Sequence, residues 1–249
     1  MVIFTSKVTT KLSGFLNTRK GGRMFFKIYK LLMPLRNRVA SSRFLIRLLF
    51  NVKIPSETSV DFDMTTLLIM YVINKEIKSK CRVFEMGVGT GALISISNAK
   101  RFNSVAFGAD ISERRVLQSQ YISRLNNVQE EFFVSDLFSN ATKEYDYIIF
   151  NPPYVPSSVG EFLELDRFNK SNDDGLAWDG GVDGMDIINS FLGNAPKYLN
   201  ANGKILLGVQ GLYITRKKID DCLKEKSLKV KFVYKLPLLT SEVYVLERK

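Results

Sequence analysis

Histidine is absent from this chain of 249 residues. Its absence removes Ser-His-Asp and Cys-His nucleophilic catalysis, histidine general bases and the usual zinc ligand set. Cysteine is scarce as well. Cys81 and Cys222 lie far apart, too few for a disulfide scaffold or a thiolate metal site, and they read as packed or surface thiols of a reducing, cytoplasmic setting. No stretch approaches eighteen uncharged apolar residues, so no transmembrane helix is expected. The opening Met1-Val2-Ile3-Phe4-Thr5 is too short for a signal-peptide core. There is no internal repeat or low-complexity tract, and 45% hydrophobic content suffices for one sizeable core plus an appendage.

Acidic residues are missing from the first 56 positions. Lys7, Lys11, Arg19, Lys20, Arg23, Lys27, Lys30, Arg36, Arg38, Arg43, Arg47 and Lys53 all precede Glu57. Of the 36 basic residues, those twelve leave 24 against 25 acidic ones, so the net charge of +11 belongs to the N-terminal segment. Residues 1–56 are therefore read as a basic helical extension and residues 57–249 as the main domain. The spacing of Phe25, Phe26, Ile28, Tyr29, Leu31, Leu32 and Met33 predicts one amphipathic helix, and that of Phe44, Leu45, Ile46, Leu48, Leu49 and Phe50 a second. Three readings of the segment stay open: helices that dock a protein substrate or cover the site, an arm for RNA or an anionic membrane surface, and an organelle transit peptide.

From about residue 60, strands alternate with helices. Helices are expected over 61–80, 90–100, 113–125, 184–198 and 215–224. Strands are expected over 82–86, 104–109, 131–135, 145–150, 204–209, 229–235 and 242–247. This order predicts an α/β fold, a doubly wound and mostly parallel seven-stranded sheet.

Where the first strand ends, Glu85-Met86-Gly87-Val88-Gly89-Thr90-Gly91-Ala92 marks a sharp turn into a helix with backbone open to a ligand. Gly87-x-Gly89-x-x-Ala92 meets the loose dinucleotide fingerprint. Glu85-x-Gly87-x-Gly89-x-Gly91 is equally the pattern of S-adenosylmethionine-dependent enzymes. The surroundings favour the second. Glu85 suits an ammonium group better than a pyrophosphate, Asp110 is placed for a ribose diol, and Asp136, followed by Leu137, for an adenine amino group. A plainer reading makes each carboxylate a cap for the next helix or turn.

After the fourth strand comes Asn151-Pro152-Pro153-Tyr154. Two prolines stop the ladder and stiffen the turn, at the strand edge where open α/β sheets bind ligands. The Asn151 side-chain oxygen and the Pro152 carbonyl are expected to take the two protons of a planar NH2 group, with Tyr154 stacking behind it and Pro153 keeping the turn rigid. The plainer alternative is a strand-ending turn without chemistry.

Together these residues resemble the class I Rossmann-type methyltransferases over about residues 60–210. Within that class the chain resembles the HemK/PrmC-like group, which methylates glutamine side-chain amides of translation release factors. The resemblance rests on Glu85 to Gly91, on Asn151-Pro152-Pro153-Tyr154-Val155-Pro156 and on Ala177-Trp178-Asp179-Gly180-Gly181-Val182-Asp183-Gly184-Met185-Asp186. The second motif is shared with enzymes acting on exocyclic amino groups of adenine or cytosine; the third is the more selective. The resemblance implies S-adenosylmethionine as cofactor, catalysis by Asn151, Pro152, Pro153 and Tyr154, and a cofactor site of Glu85, Gly87, Gly89, Gly91, Asp110, Asp136, Leu137 and Asn151. It also implies a protein substrate such as a release factor. Departures concentrate before the first strand, where Asp61-Phe62-Asp63-Met64-Thr65-Thr66 lacks the arginine and proline of an Arg-Pro-x-Glu-Thr-like stretch. Leu137 replaces an aromatic residue, Asp173 a glutamate and Trp178 a leucine. Methylation of an RNA or DNA amino group, of a small-molecule amide or amine, and a non-catalytic binding role remain alternatives.

Overall fold

The structure, a computed structural model, describes residues 35, 38–165, 177–236 and 240–249. The amphipathic helix expected over 25–33 and the position of Asp173 lie outside them. Residues Ala40 to Lys249 form one compact unit.

Seven strands make one sheet: β1 Val83–Met86, β2 Ala106–Asp110, β3 Glu130–Val134, β4 Tyr145–Phe150, β5 Leu199–Gln210, β6 Leu228–Lys235 and β7 Ser241–Arg248. Their order is β3-β2-β1-β4-β5-β7-β6, and β7 pairs antiparallel with both neighbours while β1 to β5 pair in parallel. The expected doubly wound sheet is thus present. Central strands β1 and β2 are buried along their whole length, as strands covered on both faces must be.

Side chains alternate between the two faces. Val83, Ile149, Leu206, Val243 and Val245 join one apolar cluster; Phe84, Ile148, Phe150, Leu207 and Tyr244 join the other. The α-helices among the described residues include α1 Arg43–Phe50, α2 Met64–Glu76, α3 Leu93–Phe102, α4 Glu113–Leu125, α5 Ser157–Phe162, α6 Asp186–Asn194 and α7 Arg216–Leu223. The first four cover one face, contributing Ile46, Leu68, Ile96 and Ile122, whereas α6 and α7 cover the other through Ile188, Phe191 and Ile219. None of the described helices is long and apolar enough to cross a membrane.

One difference from expectation has a local cause. The helix expected over 184–198 spans Asp186–Asn194 and gives way to a 3-10 turn at Ala195–Tyr198, because Pro196 has no N–H to continue the α ladder. The second helix expected in the N-terminal segment belongs to the compact unit from Ala40 to Lys249. Ile46, Phe50 and Val52 are at most 1% exposed in the main core, each worth roughly 1.5–3 kcal/mol of burial. Asn126 then pins the chain after α1 by exchanging bonds with the Lys53 N–H (2.8 Å) and carbonyl (2.9 Å).

Candidate active site

The strand order reverses beside β1, whose neighbours are β2 and β4, and ligands of open α/β sheets bind beyond the carboxyl ends at such a point. Register brings the two expected motifs together there. Met86 pairs with Phe150, so the glycine turn after β1 and the Asn-Pro-Pro-Tyr corner after β4 leave adjacent strands, which run roughly 4.8 Å apart.

The glycine turn is built as a cradle. Gly87 and Gly89 have φ of 70° and 58°, left-handed values that favour residues without a Cβ. A Cβ at Gly89 would meet nothing within 4 Å, so backbone lies open there. Gly91 serves differently: a Cβ would stand 2.5 Å from Val60, and its absence lets the segment before α2 pack over the turn. Ala92, at φ 43°, starts α3 without a side-chain cap.

The strand-end carboxylates differ from one another. Glu85 is buried, and its Oε2 accepts the Ser95 N–H (2.8 Å) and hydroxyl (2.7 Å). It holds the first turns of α3 against β1. Burial pushes its pKa up to about 8, with the Asp110 charge adding to the rise and the Ser95 bonds opposing it. Asp110 is also buried; its Oδ2 accepts the Gly89 N–H (2.9 Å), its Oδ1 accepts the Ser112 N–H (3.0 Å), and Arg115 Nη1 stands 3.8 Å away. Both side chains thus shape the turn from beneath, which is the capping reading made concrete. Asp136 is exposed instead. Its carbonyl accepts the Ser139 N–H and hydroxyl, and the next residue, Leu137, sits at φ 46°, an outlier for a bulky side chain of the kind found at ligand sites.

Asn151 has its two ends in different circumstances. Nδ2 donates to Asp63 Oδ1 and to Thr66 Oγ1, both at 3.3 Å. Oδ1 is buried and has no partner, a condition that costs roughly 1–3 kcal/mol for a neutral acceptor. Pro152 is buried and Pro153 half-buried. The Tyr154 side chain is 8% exposed, and its hydroxyl donates to Asp63 Oδ2 at 3.2 Å and lies 3.3 Å from Thr65 Oγ1. Burial and the Asp63 charge hold its pKa well above the usual phenol value, so it stays a neutral donor. The hydroxyl thus ties the last residue of the corner to the N-cap of α2.

The third motif clamps this corner from outside. Val155 and Asp179 form a parallel bridge, in which Val155 N–H donates to the Trp178 carbonyl and Gly180 N–H to the Val155 carbonyl, both at 2.9 Å. The Ser157 hydroxyl donates to Asp179 Oδ1 at 2.7 Å. Trp178 lies over Gly160, where a Cβ would come within 1.9 Å of the indole.

Sequence reasoning missed Asp63 and Thr66. Asp63 is the N-cap of α2, accepting the Thr66 N–H at 2.7 Å, and an Asp-x-x-Thr ahead of an apolar run does announce a cap. Its reach to Asn151, 88 positions on, is a tertiary contact that no local pattern announces.

The model of the methyltransferase small domain family matches residues 54–182, a stretch containing the glycine turn, the corner and Asp63. A Methanocaldococcus jannaschii protein, provisionally named a protein N5-glutamine methyltransferase, is 37% identical over 171 residues, covering 69% of this chain and 82% of that protein. The release factor glutamine methyltransferase of Lactococcus lactis is 26% identical over 159 residues, covering 64% of this chain and only 58% of its own. Among solved structures, the ribosomal protein L11 methylase of Lactobacillus delbrueckii subsp. bulgaricus has the same fold. It gives a TM-score of 0.59 at 16% identity, over 80% of this chain and 85% of that one. With the family model matched across half of its length, this chain belongs to the methyltransferase small domain family.

Proposed function

We propose that the protein transfers the methyl group of S-adenosylmethionine to the side-chain amide nitrogen of a glutamine in a protein substrate. The observation that carries the reading is Asn151 Oδ1, a buried acceptor left unpartnered at the carboxyl edge of the sheet while its own NH2 group is tied down. The names of the two relatives, both glutamine methyltransferases, agree with it. A release factor fits as substrate on the same ground, although the chain spans little more than half of the L. lactis enzyme.

An amide nitrogen shares its lone pair with the carbonyl and is a poor nucleophile. Asn151 Oδ1 and the Pro152 carbonyl each accept a hydrogen bond from one N–H of the substrate amide, turning the lone pair out of conjugation, and the nitrogen that gains the methyl group would release one of these protons to solvent. Pro152 and Pro153 keep those two acceptors in fixed relation, and the anchored Tyr154 hydroxyl fixes the end of the corner. The cofactor residues fit such a ligand: the backbone lies open at Gly89, Gly87 and Gly91 shape the turn, Glu85 and Asp110 brace it from beneath, and Asp136 and Leu137 would hold the adenine. S-adenosylmethionine, when bound, supplies an electrophilic methyl group on a sulfonium. Orientation by the chain can replace a strong base, since good alignment is worth on the order of 7–11 kcal/mol. That suits a protein without histidine.

The test is incubation with labelled S-adenosylmethionine and cell extract, followed by separation of protein from RNA. Label in protein, recovered as methylglutamine after digestion, is the expected result; label confined to RNA overturns it. A second reading, methylation of an exocyclic amino group in RNA or DNA, draws on the twelve basic residues before Glu57. It requires binding to an RNA or DNA oligonucleotide that weakens steeply as salt rises.

A further inference from the structure

We infer that Asp63 is a positioning residue for this reaction: its carboxylate holds the Asn151 amide so that Oδ1, and not Nδ2, faces the acceptor nitrogen. The inference rests on the methyl-transfer reading for its consequence, though the contact itself does not. Both carboxylate oxygens are in use. Oδ1 takes the Thr66 N–H (2.7 Å), the Thr66 hydroxyl (2.8 Å) and Asn151 Nδ2 (3.3 Å), while Oδ2 takes the Tyr154 hydroxyl (3.2 Å). One side chain thus joins the first turn of α2 to the first and last residues of the Asn-Pro-Pro-Tyr corner.

The arrangement has one consistent proton order. A carboxylate accepts only, so an amide facing it presents NH2 rather than oxygen. The Thr66 hydroxyl proton goes to Asp63, which leaves Thr66 Oγ1 free to accept the second Asn151 proton at 3.3 Å. Turning the amide over would put its oxygen against the carboxylate and give the substrate's N–H a donor to meet. Donating into a carboxylate also polarises the amide and strengthens Oδ1 as an acceptor, as hydrogen-bonded chains do. Farther along, Thr65 Oγ1 bonds Ser241 (3.2 Å) and receives Gln210 Nε2 (3.2 Å), so the network is anchored on β5 and β7.

Asp63→Ser separates positioning from capping, because serine caps the Thr66 N–H well but is too short to reach Asn151 and Tyr154. We expect Asp63→Ser to melt within a few degrees of the unaltered protein and to bind S-adenosylhomocysteine within about twofold. Label transfer into the protein fraction should fall at least about tenfold, the scale of one lost charge-assisted bond. Asp63→Asn, which keeps the shape and one acceptor, should lie between the two. The Asn151 side-chain NH2 signals in a ¹⁵N spectrum, identified by their absence from Asn151→Ala, should shift in Asp63→Ser. Transfer at the unaltered rate in Asp63→Ser overturns the inference, and Asp63→Asn decides in the same way if the serine variant does not fold. Should the unaltered protein transfer no label, the methyl-transfer reading falls and the Asn151 signals judge Asp63 alone: a shift supports the contact, and no shift overturns it.

Discussion

The two turns that meet at the switch point are finished in opposite ways. After β1, the carboxylates are satisfied from within: Glu85 by Ser95, Asp110 by Gly89 and Ser112. After β4, the donors of Asn151 are satisfied and its acceptor is not. A buried polar atom without a partner costs stability; Asn98 Oδ1, Ser104 Oγ and Ser123 Oγ share that state on α3, before β2 and on α4, whereas Asn151 stands in the corner after β4. The first turn can be explained as architecture that also receives a ligand. The second leaves an acceptor open at the strand edge, and on the proposed reading that asymmetry gives shape to one side and chemistry to the other.

The largest effect should come from removing the unpaired acceptor. Asn151→Ala is expected to abolish label transfer while leaving S-adenosylhomocysteine affinity within about threefold, since it deletes a contact made to the reacting nitrogen rather than to the cradle. It should cost only modest stability, because the oxygen lost was unsatisfied and the two Nδ2 bonds lost with it are long, at 3.3 Å. Measurable transfer in this variant would erase the contrast between the two turns. Next in size is Gly184→Ala. Gly184 has φ 83°, and a Cβ there would stand 2.4 Å from the Tyr154 carbonyl. The clash pushes on the corner from the clamp side, with a backbone cost of about 1–3 kcal/mol. Turnover is expected to fall by one to two orders of magnitude through misplaced acceptors, as about 1 Å of displacement does. Ligand affinity at the glycine turn should hold; if it falls in step with turnover, the two turns are one unit.

Much of this was legible in the sequence, for identifiable reasons. The apolar runs Tyr145–Phe150 and Val83–Met86 are short and buried throughout or nearly so, so periodicity and their glycine and proline boundaries were enough. The Glu113–Leu125 helix begins on Ser112, a capping residue whose side chain accepts the Arg115 N–H. The extension of β5 back to Leu199 was not legible, because Asn200, Ala201, Asn202 and Gly203 have the composition of a turn, yet Leu199 pairs with Tyr145 through an irregularity in register. At the site, residue types announced the glycine turn and the corner. What they could not announce was direction: that Glu85 bonds inward to Ser95, and that Asp63 spans 88 positions to Asn151. Such contacts depend on how layers stack, and no local pattern encodes them.

The smallest predicted effect on turnover belongs to the closed turn, which is tested through pH. Glu85 is held in the folded protein at a pKa raised to about 8 by burial, against an ordinary value of 4.5. Between those two values the folded chain binds a proton that the unfolded chain has released. The contribution of Glu85 to stability should therefore be greatest below pH 4.5, fall as pH rises towards 8 and level off above it. The slope contributed by one such group is at most about 1.4 kcal/mol per pH unit. Glu85→Gln keeps a carbonyl oxygen for Ser95 and cannot ionise, so it removes this slope: its urea midpoint should gain on the unaltered protein between pH 5 and pH 8. Parallel midpoints across that range would mean that Glu85 ionises in place at little cost. An ammonium group received beside Glu85 would favour the charged form, so saturating S-adenosylhomocysteine should flatten the slope of the unaltered protein and leave that of Glu85→Gln unchanged.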